Sequence, residues 1–151
     1  MKAILGGMVV GKLDINDVYN PGELKVKGEH SGRHFDPDDA GGLLVQKSWT
    51  DANINQLGIN DVKTHLSRFE DVDGDNAFMI NRLEKINNKE ISVTDYNKRF
   101  YTHELEEYNR YKTNGMLDSL NDEDFYYNAH TASLESYGIN EVDMPLYHPR
   151  D

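Results

Sequence analysis

From about residue 51 to residue 138, apolar side chains recur three and four positions apart, and that period commits most of the chain to helix. Val62, Leu66 and Phe69 mark a first helix, with Asp61 placed to cap its start. Phe78, Met79, Leu83 and Ile86 repeat the spacing in a second, closed by Asn87-Asn88. Thr94 or Asp95 can cap a third, longer helix that stops at Asn114-Gly115. A fourth runs from Asn121 or Asp122 to Tyr137-Gly138, and the tail Met144–Pro149 reads as an extended closing segment.

Residues 1–50 look different. Most of the glycines and two of the four prolines lie there, between short apolar runs at Met8–Val10, Leu24–Val26 and Leu43–Val45. Such runs predict short strands and ordered loops, with Phe35, Trp49 and the Val/Leu pairs requiring burial. The apolar start reads as a short buried strand. The expected fold is mainly α with a small β or irregular N-terminal portion: about four helices packed as one domain over 1–151, with 1–50 as loop and short strand and 51–151 helical.

Lys and Arg number 16 against 27 Asp and Glu, a net charge of −11, which argues against a broad basic face for nucleic acid. It leaves room for a small basic site or for a partner that holds the nucleic acid. Nine Tyr, five Phe and one Trp supply large pieces of core, so a mean hydropathy of −0.76 does not imply disorder. The absence of cysteine excludes a disulfide scaffold, a cysteine nucleophile and thiolate zinc sites. No apolar run approaches the ~20 residues that span a bilayer.

The third helix carries the strongest chemical signal. Phe100, Tyr101, Glu104, Leu105, Tyr108 and Tyr111 share one face, whereas Glu106 and Glu107 are expected to point elsewhere. Glu104 is therefore a carboxylate among aromatics, either a group of raised pKa able to exchange protons or a core Glu bonded to a Tyr or an Arg. His103-Glu104 begins like the zinc-protease signature His-Glu-x-x-His, but Glu107 stands where the second histidine belongs. In the fourth helix, Tyr126, Tyr127, His130, Leu134 and Tyr137 form an aromatic stripe around His130. His130 facing Glu104 across antiparallel helices would make an acid–base pair for cleaving a phosphodiester through the ribose 2′-hydroxyl.

The glycine-bounded loop Gly28–Pro37 gathers His30, Arg33, His34 and Asp36, groups that suit phosphate binding or an ordered turn in which Asp36 caps the next segment. Asp71-Val-Asp-Gly-Asp75 starts like a calcium loop. Asn76 and Arg82 then replace the required Gly and Glu, which leaves an acidic turn between helices. Glycine-rich phosphate loops are absent, and Ser31 and Ser48 lie in no nucleophile elbow.

Six segments in one order carry a family resemblance: Ser31-Gly-Arg-His-Phe-Asp-Pro-Asp-Asp-Ala-Gly-Gly42, His65-Leu-Ser-Arg-Phe69, Met79-Ile-Asn-Arg-Leu83, Phe100-Tyr-Thr-His-Glu-Leu105, Asn128-Ala-His-Thr-Ala-Ser-Leu-Glu-Ser-Tyr-Gly138 and Leu146-Tyr-His-Pro149. Over about residues 30–149 the chain resembles C-terminal toxin modules of bacterial polymorphic toxins, of the contact-dependent inhibition and Rhs type. The resemblance implies a nuclease, often of tRNA, that is delivered as part of a larger secreted effector. It would act in the target-cell cytoplasm and be neutralised by a cognate immunity protein. It places His34, His103, Glu104 and His130 at motif positions and Arg33 on the phosphate, where the reading of the loop adds His30. The expected activity is a metal-independent ribonuclease with no cofactor. The alternatives are a metal-dependent nuclease, with histidines and carboxylates holding the ion, and a non-enzymatic acidic binding module. Many toxin nucleases are basic, so the −11 charge calls for a locally basic cleft or a host factor that presents the RNA, and the acidic turn at 70–75 offers a surface for the immunity protein.

Overall fold

The computed structural model describes residues 26–119 and 122–150, together with the backbone of residues 4–5 and 8–9. Its helices are α1 at Gln56–Leu66, α2 at Asp75–Asn87, α3 at Asp95–Thr113 and α4 at Glu123–Ser136. The chain is mainly α with a small β portion, as the periodicity implies.

Local chemistry sets each start. At α1 the Asn55 side chain accepts the Gly58 N–H at 2.9 Å, so the helix begins before Asp61, the expected cap. It ends at Leu66, which leaves Phe69 in the following turn, still buried. The acidic turn before α2 caps that helix: an Asp71 carboxylate oxygen accepts the Asn76 N–H at 2.7 Å, and Gly74 takes the left-handed φ of 71°. Thr94 donates its backbone N–H and its hydroxyl to Asn97 Oδ1 at 3.0 and 2.8 Å, a capping box for α3. Asp122 accepts the Phe125 N–H at 2.9 Å and opens α4.

Two antiparallel strand pairs precede the helices: β1 (Ile4–Leu5) with β2 (Met8–Val9), and β3 (Val26–Lys27) with β4 (His34–Phe35). Val10 and Leu24, expected in strands, lie outside the described residues. Leu43–Val45, expected to be a buried strand, is instead exposed and forms none, because Arg110 takes the backbone carbonyls of Ala40, Gly42 and Leu43 at 2.8–3.2 Å and ties this stretch down as a loop.

Helix α3 is central, packed by α1, α2, α4 and the short 3-10 turn Trp49–Asp51. Ile59, Val62, Met79, Leu83, Phe100, Tyr111, Tyr126 and Leu134 form the main core around it, closed by Ile139 and Leu146 of the tail. At Gly58 a Cβ would overlap the Tyr101 hydroxyl, so α1 and α3 meet closely where residue 58 has no side chain. A smaller cluster of Phe35, Ala40, Tyr127 and Ala132 fastens the N-terminal portion to α4. The tail folds back, with Tyr147 edge-on to Phe100 and Arg150 paired to Asp75 at 2.9 Å. Because helices cover α3 on several sides, its burial is not confined to one face. Glu106 and Glu107, expected to point away, are 8% and 0% exposed. Among the described residues, no helix is long and apolar enough to cross a membrane.

Candidate active site

Where α1, α3 and α4 meet, the core turns polar. His65 from α1, His103, Glu104 and Glu107 from α3, and His130 from α4 are all at most 2% exposed. Glu107 is the hub. Its Oε2 lies 2.6 Å from His103 Nε2 and 2.7 Å from His130 Nδ1, and its Oε1 lies 3.0 Å from His65 Nε2. His103 Nε2 and His130 Nδ1 are themselves 2.9 Å apart. His103 and Glu107 meet because residues four apart lie one above the other on a helix.

Among the described residues, one chain of contacts from the cluster to the surface runs through Glu141. His130 Nε2 meets Glu141 Oε1 at 3.2 Å, and that oxygen accepts a 2.6 Å bond from the Arg33 guanidinium. The side chains of Glu141 and Arg33 are 16% and 20% exposed. On the other side of the cluster, the half-exposed Arg68 guanidinium meets His65 Nδ1 at 2.7 Å. Glu104 Oε1 comes within 3.7 Å of His65 Nε2, yet neither Glu104 oxygen makes a hydrogen bond.

Environment separates these groups electrostatically. Burial would push the Glu107 carboxyl up, but the adjacent His103 and hydrogen bonds from three histidines hold it well below the usual carboxylate range. Burial and the neighbouring Glu107 charge drive Glu104 the other way, well above that range. Burial lowers His65 and His103. His130 is also desolvated, but the charge of Glu141 and bonds to Glu107 and Glu141 outweigh this and raise it. Glu141 is held low against its burial, chiefly by His130 and also by Arg33. The result is a connected run of ionisable groups from Arg33 at the surface to the buried His65.

Of the residues expected at a site, His103, Glu104 and His130 converge here, and Arg33 joins through Glu141. The carboxylates bonded to His130 are Glu107 and Glu141, in place of the expected Glu104. His30 lies in the loop clamped to α4: the backbone N–H groups of His30 and Ser31 donate to the Glu135 carboxylate at 2.6–3.2 Å. At Gly28 a Cβ would collide with that carboxylate. His34 pairs through its backbone with Lys27 in the β3–β4 hairpin and is no part of the cluster's bonds. Asp36 caps the 3-10 turn Pro37–Asp39 by accepting the Asp38 N–H.

Sequence reasoning missed His65, Glu107 and Glu141. The signal for Glu107 was its place four residues after His103, where a second metal-ligating histidine would stand. Among the described residues, two sets of three ligand atoms could hold a metal ion, His103–Glu107–His130 and His65–Glu104–Glu107, with the atoms of each set within 4.8 Å of one another. A separate surface hollow of about 450 Å³, near Asn55, Asp61 and Tyr101, touches none of these groups. A scan against protein families and searches of curated proteins and solved structures returned no match, so the site stands on its own geometry.

Proposed function

We propose that this chain is an antibacterial effector toxin domain that cleaves RNA, with tRNA as the expected substrate, at the cluster centred on His130 and Glu107. One observation carries the reading: His130 sits between a buried carboxylate at 2.7 Å and an outer one at 3.2 Å, the outer carboxylate being held by Arg33 where the network meets solvent. A scissile phosphate arriving over Arg33 would displace Glu141 from the guanidinium. The imidazole behind Glu141 is His130, whose orientation Glu107 maintains from the inner side. One arginine at the mouth also fits an acidic protein that binds its substrate locally. A cognate immunity protein would cover the same mouth, and delivery within a larger effector would bring the domain to the target-cell cytoplasm.

A metal-assisted form of the cleavage is the second reading, favoured by three ligand atoms converging on one point. The test is induced expression in a bacterial cytosol, with total RNA run on a gel within minutes and cleavage repeated in vitro with and without EDTA. Growth arrest with discrete tRNA fragments, relieved by a neighbouring open reading frame, is the expected result. Arrest with intact RNA would move the function away from ribonuclease, and unimpaired growth would favour a binding module.

A further inference from the structure

We propose that His103 Nε2, His130 Nδ1 and Glu107 Oε2 bind one divalent transition-metal ion of six-coordinate habit, such as Mn²⁺, Fe²⁺, Co²⁺ or Ni²⁺. The three atoms form a triangle with edges of 2.6, 2.7 and 2.9 Å. Protons cannot satisfy all three edges. An ionised carboxylate oxygen brings no proton, and each ring nitrogen brings at most one. With both N–H groups aimed at Glu107, the 2.9 Å edge sets two donors side by side. With either nitrogen deprotonated, the edge from it to Glu107 sets lone pair against lone pair. A cation over the face of the triangle accepts a lone pair from each atom.

The spacing also selects a geometry. Ligands about 2.1 Å from an ion and at right angles lie about 3.0 Å apart, whereas tetrahedral ligands lie about 3.4 Å apart. The observed edges are nearer the first, so the three residues would occupy one face of an octahedron and leave the opposite face to other donors. Two imidazoles and one carboxylate on one face are a donor set suited to such ions.

The surroundings favour this set over the other. The Arg68 guanidinium can only donate, so its 2.7 Å contact requires the lone pair of His65 at Nδ1 and the proton at Nε2. His65 then donates to Glu107 Oε1 and offers no lone pair to a metal there. It is a positioning residue for Glu107, just as Glu141, backed by Arg33, positions His130 through Nε2. Independently, Glu104 lies against His65 in the same cluster, fully buried, with neither oxygen hydrogen-bonded: the cluster keeps a polar side chain that no group among the described residues satisfies.

The site rests on this geometry and stands apart from the ribonuclease reading. The full chain, unfolded in chelator and refolded with Mn²⁺, Co²⁺, Ni²⁺ or Zn²⁺ alone, is passed through a desalting column and its metal counted. One ion per chain is expected, and Co²⁺ should give the weak visible absorption of six-coordination. His103→Asn and His130→Asn should each lower affinity at least tenfold. His65→Gln, which keeps an N–H donor, should hold one ion with about 10–100-fold lower affinity. No retained ion, an ion retained undiminished by the double variant, the intense spectrum of four-coordinate Co²⁺, or a second ion lost on Glu104→Gln would overturn the assignment. The Co²⁺ spectrum needs only the wild-type chain, so misfolding of a variant does not blunt the test. A chain that holds the ion but leaves RNA intact sinks the ribonuclease reading alone. RNA cleavage by a chain that retains no ion sinks the metal site alone.

Discussion

Glu104 and Glu107 are the same group three residues apart on one helix, both fully buried, yet their surroundings give them opposite duties. Glu107 lies within 2.6–3.0 Å of three imidazoles, and its carboxylate ties three helices together. Glu104 accepts nothing. Glu107→Gln in the presence of chelator should therefore cost about 3–5 kcal/mol, the range for breaking a buried ionic network. Glu104→Gln, similar in shape and losing no hydrogen bond, should cost less than about 1 kcal/mol. Urea unfolding of the two variants checks both, and equal losses would remove Glu107 as the hub. His130→Ala should abolish growth inhibition, and it should also destabilise the fold, because Glu107 and Glu141 would each lose a partner. The decisive comparison is His130→Asn, smaller but still polar, assayed for toxicity and thermal unfolding together. A folded variant that kills at full potency would take His130 out of the mechanism. The sequence singled out Glu104 and His130 because a polar residue on an aromatic face is a local anomaly, and His103 through the His-Glu pair and the family resemblance. Glu107 could not be found that way: its role depends on α1 and α4 arriving on its side of α3, which no period in α3 encodes.

At the scale of elements, helix ends were legible wherever a cap is a matter of neighbouring residues. Thr94 and Asp122 cap where their residue types suggested. The start of α1 was misread because Asp61 and Asn55 are both good caps, and the choice fell to the packing of Gly58 and Ile59 against α3. The loop Leu43–Val45 was misread because Arg110, distant in sequence, consumes its carbonyls. One element-level prediction concerns the loop that brings Arg33 to the mouth. Gly28 lies against Glu135, whose carboxylate holds the His30 and Ser31 N–H groups. In Gly28→Ala the added methyl should force the carboxylate away and release the loop, costing about 1–3 kcal/mol. Hydrogen exchange at the His30 and Ser31 amides should accelerate while α1 and α2 stay protected. Unchanged exchange would show that Glu135 does not hold the loop.

Across the whole molecule, the net charge of −11 is distributed unevenly. Asp71 and Asp122 cap helices, Asp75 pairs with Arg150, Glu106 pairs with Lys47 and Arg110, and Glu107, Glu135 and Glu141 build the site and its loop. In the turn at 70–75, suggested by sequence as a partner surface, Asp71 and Asp75 are committed to the fold while Glu70, Val72 and Asp73 are exposed. Acidic charge is concentrated instead around Asp118, Glu123 and Asp124, beside an open hollow of about 620 Å³ where α3 turns into α4. A cognate inhibitor of this chain should therefore present a basic contact face, and long-range attraction should speed its approach. Raising salt from about 50 to about 500 mM shortens the Debye length from roughly 14 Å to roughly 4 Å, so the association rate should fall at least tenfold. The dissociation rate, set by short-range packing, should change far less. Stopped-flow mixing across that salt range separates the two rates. Neutralising Asp118, Glu123 and Asp124 together should flatten the salt dependence if this patch steers the encounter. An unchanged slope would move the steering elsewhere on the surface, and association indifferent to salt would end the electrostatic account while leaving the inhibitor itself in place.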